Sequence, residues 1–302
     1  MAYDVTFHRT ERLRALARWS EVGVLEQREK LPIEQAFADR VARSSRAFFR
    51  PVPLRDSDSV KFHRQLSYLI DAFDALPERV DIAFDSTWKA FELASTEMAN
   101  GNITDRLKLL AEAIDVSVTN QLCASFPVQS CEYLFKRLVS DAAKPEADVR
   151  VANRVKGLDD ARINQLLEHL RATYGDDSAD SRRKGALLLR KALRGDVLDL
   201  GPVSGFSLGA LSRSRVLISL LLYTARNDRF HGESFSPFLS SAASLRTYTH
   251  PYFLFLASYY LLLCVWKVSC SEVLSCDAAG MSASLEENIN TATGLFGRHW
   301  EK

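Results

Sequence analysis

Apolar residues recur along most of this chain at helical spacings of three, four and seven, and strand-like alternation is scarce. Ile33, Ala36, Phe37, Val41 and Phe48 fall on one helical face, and Pro51 and Pro53 end that segment. Phe62, Leu66, Leu69, Ile70 and Phe73 form a second stripe, closed by Pro77. Val80, Ala83, Phe84, Phe91, Ala94 and Met98 form a third, with Trp88 beside it and Gly101 past its end. A fourth runs from Asp105 to about Phe126 through Leu107, Leu110, Ile114, Val118 and Leu122, with Thr104 offered as its N-cap.

The pattern weakens in the middle of the chain. Residues 141–160 are polar and broken, and 160–173 and 184–194 read as shorter helices. Asp199 to Gly209 reads as a loop by its glycines and proline. A strong helix follows at about 210–230, and Gly232 is placed to end it in a left-handed conformation. Ser236-Pro237 reads as the cap and first residue of another short helix. Pro251 opens a long apolar helix to about 274, and a last amphipathic helix spans 283–297. The expected fold is an all-α bundle of roughly nine to eleven helices.

Composition changes this picture little. Of the 302 residues, 47% are hydrophobic and 25% charged, which suits a globular chain with a large core and one or two domains. Pro251 to Trp266 is an uncharged run shorter than the roughly twenty residues that span a bilayer. It reads as a core helix rather than a membrane segment, with its aromatic stripe Tyr252, Phe253, Phe255, Tyr259 and Tyr260 as core or dimer interface. The N-terminus lacks the apolar stretch of a signal peptide. The five cysteines show no CxxC spacing and read as free thiols of a reducing, cytoplasmic compartment. No zinc spacing, phosphate loop or serine-hydrolase elbow occurs, so neither a metal nor another cofactor is expected.

Charge is uneven. Residues 181–230 hold ten Lys or Arg against three Asp, a window that either attracts a polyanion or makes solvated helix faces. It runs into Arg226-Asn227-Asp228-Arg229-Phe230-His231-Gly232, the densest chemistry in the chain. An arginine grips phosphate with a fixed fork of donors, and a histidine moves a proton near neutral pH. Together they are enough to cut a phosphodiester without a metal. At about 100° per residue, Asn227 and His231 share a helix face, whereas Arg226 and His231 diverge by about 140°. Those two converge only if the helix unwinds, if Arg226 reaches around, or if two copies build one site.

Arg226-Asn227, three residues, then His231-Gly232, set between long helices, resembles the signature of HEPN domains. The stretch from Pro77 to Asn100 is similar to an early helix of such bundles. The resemblance implies a HEPN-like helical domain over 56–302 with a central insertion around 127–205, behind an N-terminal helical extension at 1–55. It also implies a metal-independent endoribonuclease that forms a homodimer. In that chemistry the ribose 2′-hydroxyl attacks the phosphate and leaves a 2′,3′-cyclic end. The biological setting implied is a toxin–antitoxin pair or defence against phage, with an antitoxin or defence-system partner. Arg226 and His231 are the implied catalytic pair, with Asn227 in support.

Around them, Arg229 contacts RNA backbone or is solvated, and Asp228 reads as a surface acid. Arg246 and His250 line the same cleft and touch RNA, or His250 simply precedes Pro251 in a turn. The rival readings are a catalytically silent HEPN-like domain that binds RNA, a nucleotide or a partner, and an all-α scaffold in which the motif is accidental.

Overall fold

The computed structural model describes Thr10, Leu13, Arg14 and residues 29–143, 149–176, 178–201, 203–234, 236–239 and 243–301. Among them there are helices and two isolated β-bridges but no named strand, so the fold is all-α. Of the expected extension at 1–55, residues 1–9, 11–12 and 15–28 lie outside the described residues.

The centre is the long apolar helix. Helix α12 (Leu245–Ser269) buries every residue from Pro251 to Trp266. It begins one and a half turns before Pro251, which lies inside the helix rather than opening it. The cap is Ser244, whose side chain accepts from Thr247 N–H. Along its length lies α3 (Val80–Ser95), and α2 (Val60–Asp74) covers α3 in turn. α12 is the one helix among the described residues long and apolar enough to cross a bilayer. Here its polar tips are satisfied by protein. Tyr259 Oη accepts from Val52 N–H at 2.7 Å, Tyr260 Oη meets Ser284 and Asn288, and Trp266 Nε1 donates to Gln65. The aromatic stripe is core, as its spacing suggested.

Helix α1 (Pro32–Ala42) is tied to this core through Phe37, whose ring meets Phe238, Tyr248 and Phe296. The stripe read as one helix from 105 to 126 is two: α4 (Ile103–Ala113) and α5 (Val116–Ala124). Asn102, not Thr104, caps α4 by accepting from Asp105 N–H, and Asp115 caps α5. α6 (Val128–Phe135) continues into a π-helical segment, Lys136–Ser140. The stretch expected to be broken holds a complete helix, α7 (Val149–Leu158), which buries Val151, Arg154, Val155 and Leu158. α8 (Ala161–Tyr174) is capped by Asp160. α9 (Ala179–Arg194) packs on α6 so closely that a Cβ on Gly185 would sit 2.2 Å from the Phe135 ring.

The run from Ala210 to Phe230 is continuous but not uniform. α10 (Ala210–Arg215) passes into a buried π segment, Val216–Leu222, and then α11 (Tyr223–Phe230). A π segment widens the turn and so re-phases the faces of whatever follows it. Pro237 to Leu239 form a turn where a short helix was expected. α13 (Ala278–Phe296) and α14 (Arg298–Glu301) close the bundle against α12.

Candidate active site

The motif occupies the end of α11. His231 is the residue at the helix stop, and its N–H bonds to Asn227 O at 2.9 Å. Gly232, with φ of +73°, turns the chain so that Glu233 N–H reaches Asp228 O. That left-handed step is the one the sequence reading assigned to Gly232.

Two motif residues clamp this end to the rest of the fold. Asp228 is buried, not a surface acid: it accepts from Tyr133 Oη at 2.6 Å and from Arg137 Nε at 2.7 Å. Burial, with the Asp228 charge beside it, pushes the Tyr133 hydroxyl pKa well above its usual value. Arg137 also pairs with Glu233 just past the helix. On the other side, Arg229 donates to both oxygens of Asp85 at 2.6 Å and reaches Asp81 at 3.2 Å. With Asp228 and Arg229 spent on anchoring, the remaining polar residues face outward.

Those residues share one cleft. Arg226, Asn227 and His231 line an open cavity of about 470 Å³, together with Tyr223 and Thr104. The facing wall is α7, which contributes Arg150, Asn153 and Arg154. Arg226 is a quarter exposed; its guanidinium lies 4.2 Å from the Phe230 ring centroid and donates to Asn227 Oδ1 at 3.1 Å. Its nearest acid, Glu92, is 3.6 Å away, and its buried Nε has no hydrogen-bond partner among the described residues. Arg226 and His231, although expected to diverge along the helix, thus line the same cleft within one chain.

Arg150 Nη1 lies 3.3 Å from His231 Nε2. A guanidinium can only donate, so this contact is a hydrogen bond only when Nε2 presents its lone pair. Arg154 is buried, donates to Thr224 Oγ1 at 2.9 Å and lies 5.2 Å from the Tyr223 ring centroid. Three guanidiniums, one imidazole and two side-chain amides thus converge on a single opening. That set suits a phosphate ester and a proton transfer.

The other expected RNA contacts lie elsewhere. Arg229 and His250 line a different cavity of about 200 Å³, where Arg229 is held by its carboxylates. His250 accepts from or donates to Ser130 Oγ at 3.0 Å and stacks near the Tyr133 ring. Burial, and secondarily Arg229, pushes its pKa down to about 3, so the ring is neutral. Arg246 is exposed and pairs with Glu132. None of the three joins Arg226 in the cleft.

The basic window at 181–230 is also spent locally. Arg190 donates to the Phe126 and Glu301 carbonyls, Arg194 to Ala124 O, and Arg215 pairs with Glu112 and Asp160. Of that window's cations only Arg226 lines the cleft; the cleft's other cations come from α7, which the sequence reading passed over. Among the described residues, no three His, Cys, Asp or Glu side chains group closely enough to hold a metal ion. Cys123, Cys131 and Cys264 are buried free thiols, and burial pushes Cys123 and Cys264 up to about 12. Compared with protein-family models, curated proteins and solved structures, the chain matches none.

Proposed function

We propose that this chain is a metal-independent endoribonuclease of HEPN type. One observation carries the reading: Arg226, Asn227 and His231 line the same open cleft, opposite Arg150 and Arg154. In that cleft the scissile phosphate sits between Arg226 and Arg150, and the 2′-oxygen attacks phosphorus as the bond to the 5′-oxygen breaks. The guanidiniums neutralise the charge that grows on the non-bridging oxygens. His231, entering as the imidazolium with a proton at Nε2 once the phosphate has drawn Arg150 away, protonates the leaving 5′-oxygen, and Asn227 holds Arg226 in place through its side-chain carbonyl. The 2′-hydroxyl proton passes to the imidazole of a second copy, which is the role a homodimer has in this scheme. The products are a 2′,3′-cyclic phosphate and a 5′-hydroxyl. The setting in a toxin–antitoxin pair or in defence rests on the family resemblance alone.

The test is cleavage of a mixed RNA pool in EDTA by the wild type, Arg226→Ala and His231→Ala. Loss of one cleft guanidinium or of the proton donor is expected to lower the rate by two or more orders of magnitude. Cleavage that needs added metal, or survives in either variant, overturns the reading. Retention of RNA binding by the wild type without any cleavage favours the silent, RNA-binding alternative.

A further inference from the structure

A second basic concavity lies far from the motif in sequence, between the end of α1 and the C-terminal half of α13. Its volume is about 860 Å³. Three arginines line it (Arg40, Arg43 and Arg46), with no acidic residue among its walls. The remaining polar lining is neutral, and it includes Ser44, Ser45 and Thr293. None of the three arginines forms an ion pair among the described residues. Arg137, Arg215 and Arg229, by contrast, each hold at least one carboxylate.

Two of the guanidiniums are held by backbone carbonyls. Arg40 Nε donates to Leu295 O at the end of α13, and Arg43 Nε donates to Asp39 O in the last turn of α1. These are ordinary contacts of arginines with helix C-terminal carbonyls. Each uses one of five donors and leaves the Nη pair, the edge that grips phosphate oxygens two at a time. The cationic field extends behind the cavity. His299 has its pKa held down first by burial and then by Arg298, Arg40 and Arg246.

We propose that this concavity is a second anion site, which takes a compact polyphosphate across Arg40, Arg43 and Arg46. The lining has no aromatic ring, so it reads phosphates and not a base. Three guanidiniums spaced three residues apart match a ligand with adjacent phosphates better than a single orthophosphate. The site is independent of the motif cleft, and nothing in its chemistry needs the nuclease reading to hold.

Calorimetry on the full chain tests it with inorganic tripolyphosphate as the probe. Arg43 and Arg46 are exposed, so Arg43→Ala/Arg46→Ala is expected to keep the wild-type circular dichroism and melting temperature. Arg40 is left in place because it ties α1 to α13. The double variant is expected to weaken tripolyphosphate binding at least tenfold. Orthophosphate is expected to bind at least tenfold more weakly than tripolyphosphate. Competition by ATP identifies the source as the phosphate tail of a nucleotide; tripolyphosphate binding that ATP does not displace identifies an inorganic chain. Equal binding by the double variant, equal binding of orthophosphate, or binding only of an oligoribonucleotide without terminal phosphates overturns the proposal.

Discussion

Lowering the pH from 7.5 to 5 should destabilise this protein through His250. The ring is packed against Tyr133, bonded to Ser130 and faced by the Arg229 guanidinium, and its pKa is pushed down to about 3. An unfolded histidine titrates near 6.5. Between those values the unfolded chain binds a proton that the folded chain refuses, so stability falls as pH falls. The loss begins as pH drops through about 6.5 and continues at about 1.4 kcal/mol per unit until the folded ring itself titrates. From pH 7.5 to 5 that amounts to about 2 kcal/mol, and above pH 7.5 the contribution is constant. The ring keeps an edge on its cavity, so about 1 kcal/mol is the lower figure once water reaches the imidazolium. Urea unfolding at pH 7.5, 6.5, 5.5 and 5 measures it, with His250→Gln as the reference in which every other titrating group is retained. The wild-type curve should fall away from the variant's below pH 6.5. Parallel curves would refute the argument that this imidazole is held neutral by its surroundings.

The cleft gives two further expectations. Asp228→Asn leaves Tyr133 and Arg137 without their shared carboxylate inside the fold, although Arg137 keeps Asp141 and Glu233. The expected cost is about 2–4 kcal/mol by chemical denaturation, and a loss below about 1 kcal/mol would contradict the anchoring role. Arg150→Ala removes the guanidinium beside His231 Nε2 and should lower kcat/KM on RNA on the order of 10–100-fold without unfolding the protein. Arg150→Lys should recover part of that loss, and an unchanged kcat/KM would remove Arg150 from the site.

The helices whose apolar residues keep strict phase were legible before any coordinates. α3 and the run ending in α11 fall where their stripes put them, α12 keeps its apolar stripe but spans Leu245–Ser269 rather than 251–274, and Gly232 ends α11 with the positive φ its position demanded. α7 was missed although Val151, Val155 and Leu158 are spaced by four and three. Its stripe is short, and its flanks are charged enough to read as loop. The N-cap of α4 was misplaced because Asn102 and Thr104 both offer a suitable side chain, and only the bond to Asp105 N–H decides between them. No local signal could have assigned Asp228 and Arg229. Their partners come from α6 and α3, more than ninety residues away in the chain. The acids of α3 that neutralise Arg229 belong to a stretch that, read alone, is only an amphipathic helix.

That division of labour explains why the motif is dense. An exposed helix end frays unless something outside it holds the last turn. Here the holding groups are interleaved with the outward ones: Asp228 and Arg229 bind different segments of the fold, between Asn227 and His231. A shorter or longer spacing would carry His231 off the turn that Gly232 closes, or aim an anchor at solvent. The spacing of the motif therefore reflects two requirements met in one turn of helix. One is a rigid end, and the other is a face on which Arg226, Asn227 and His231 meet the cations of α7.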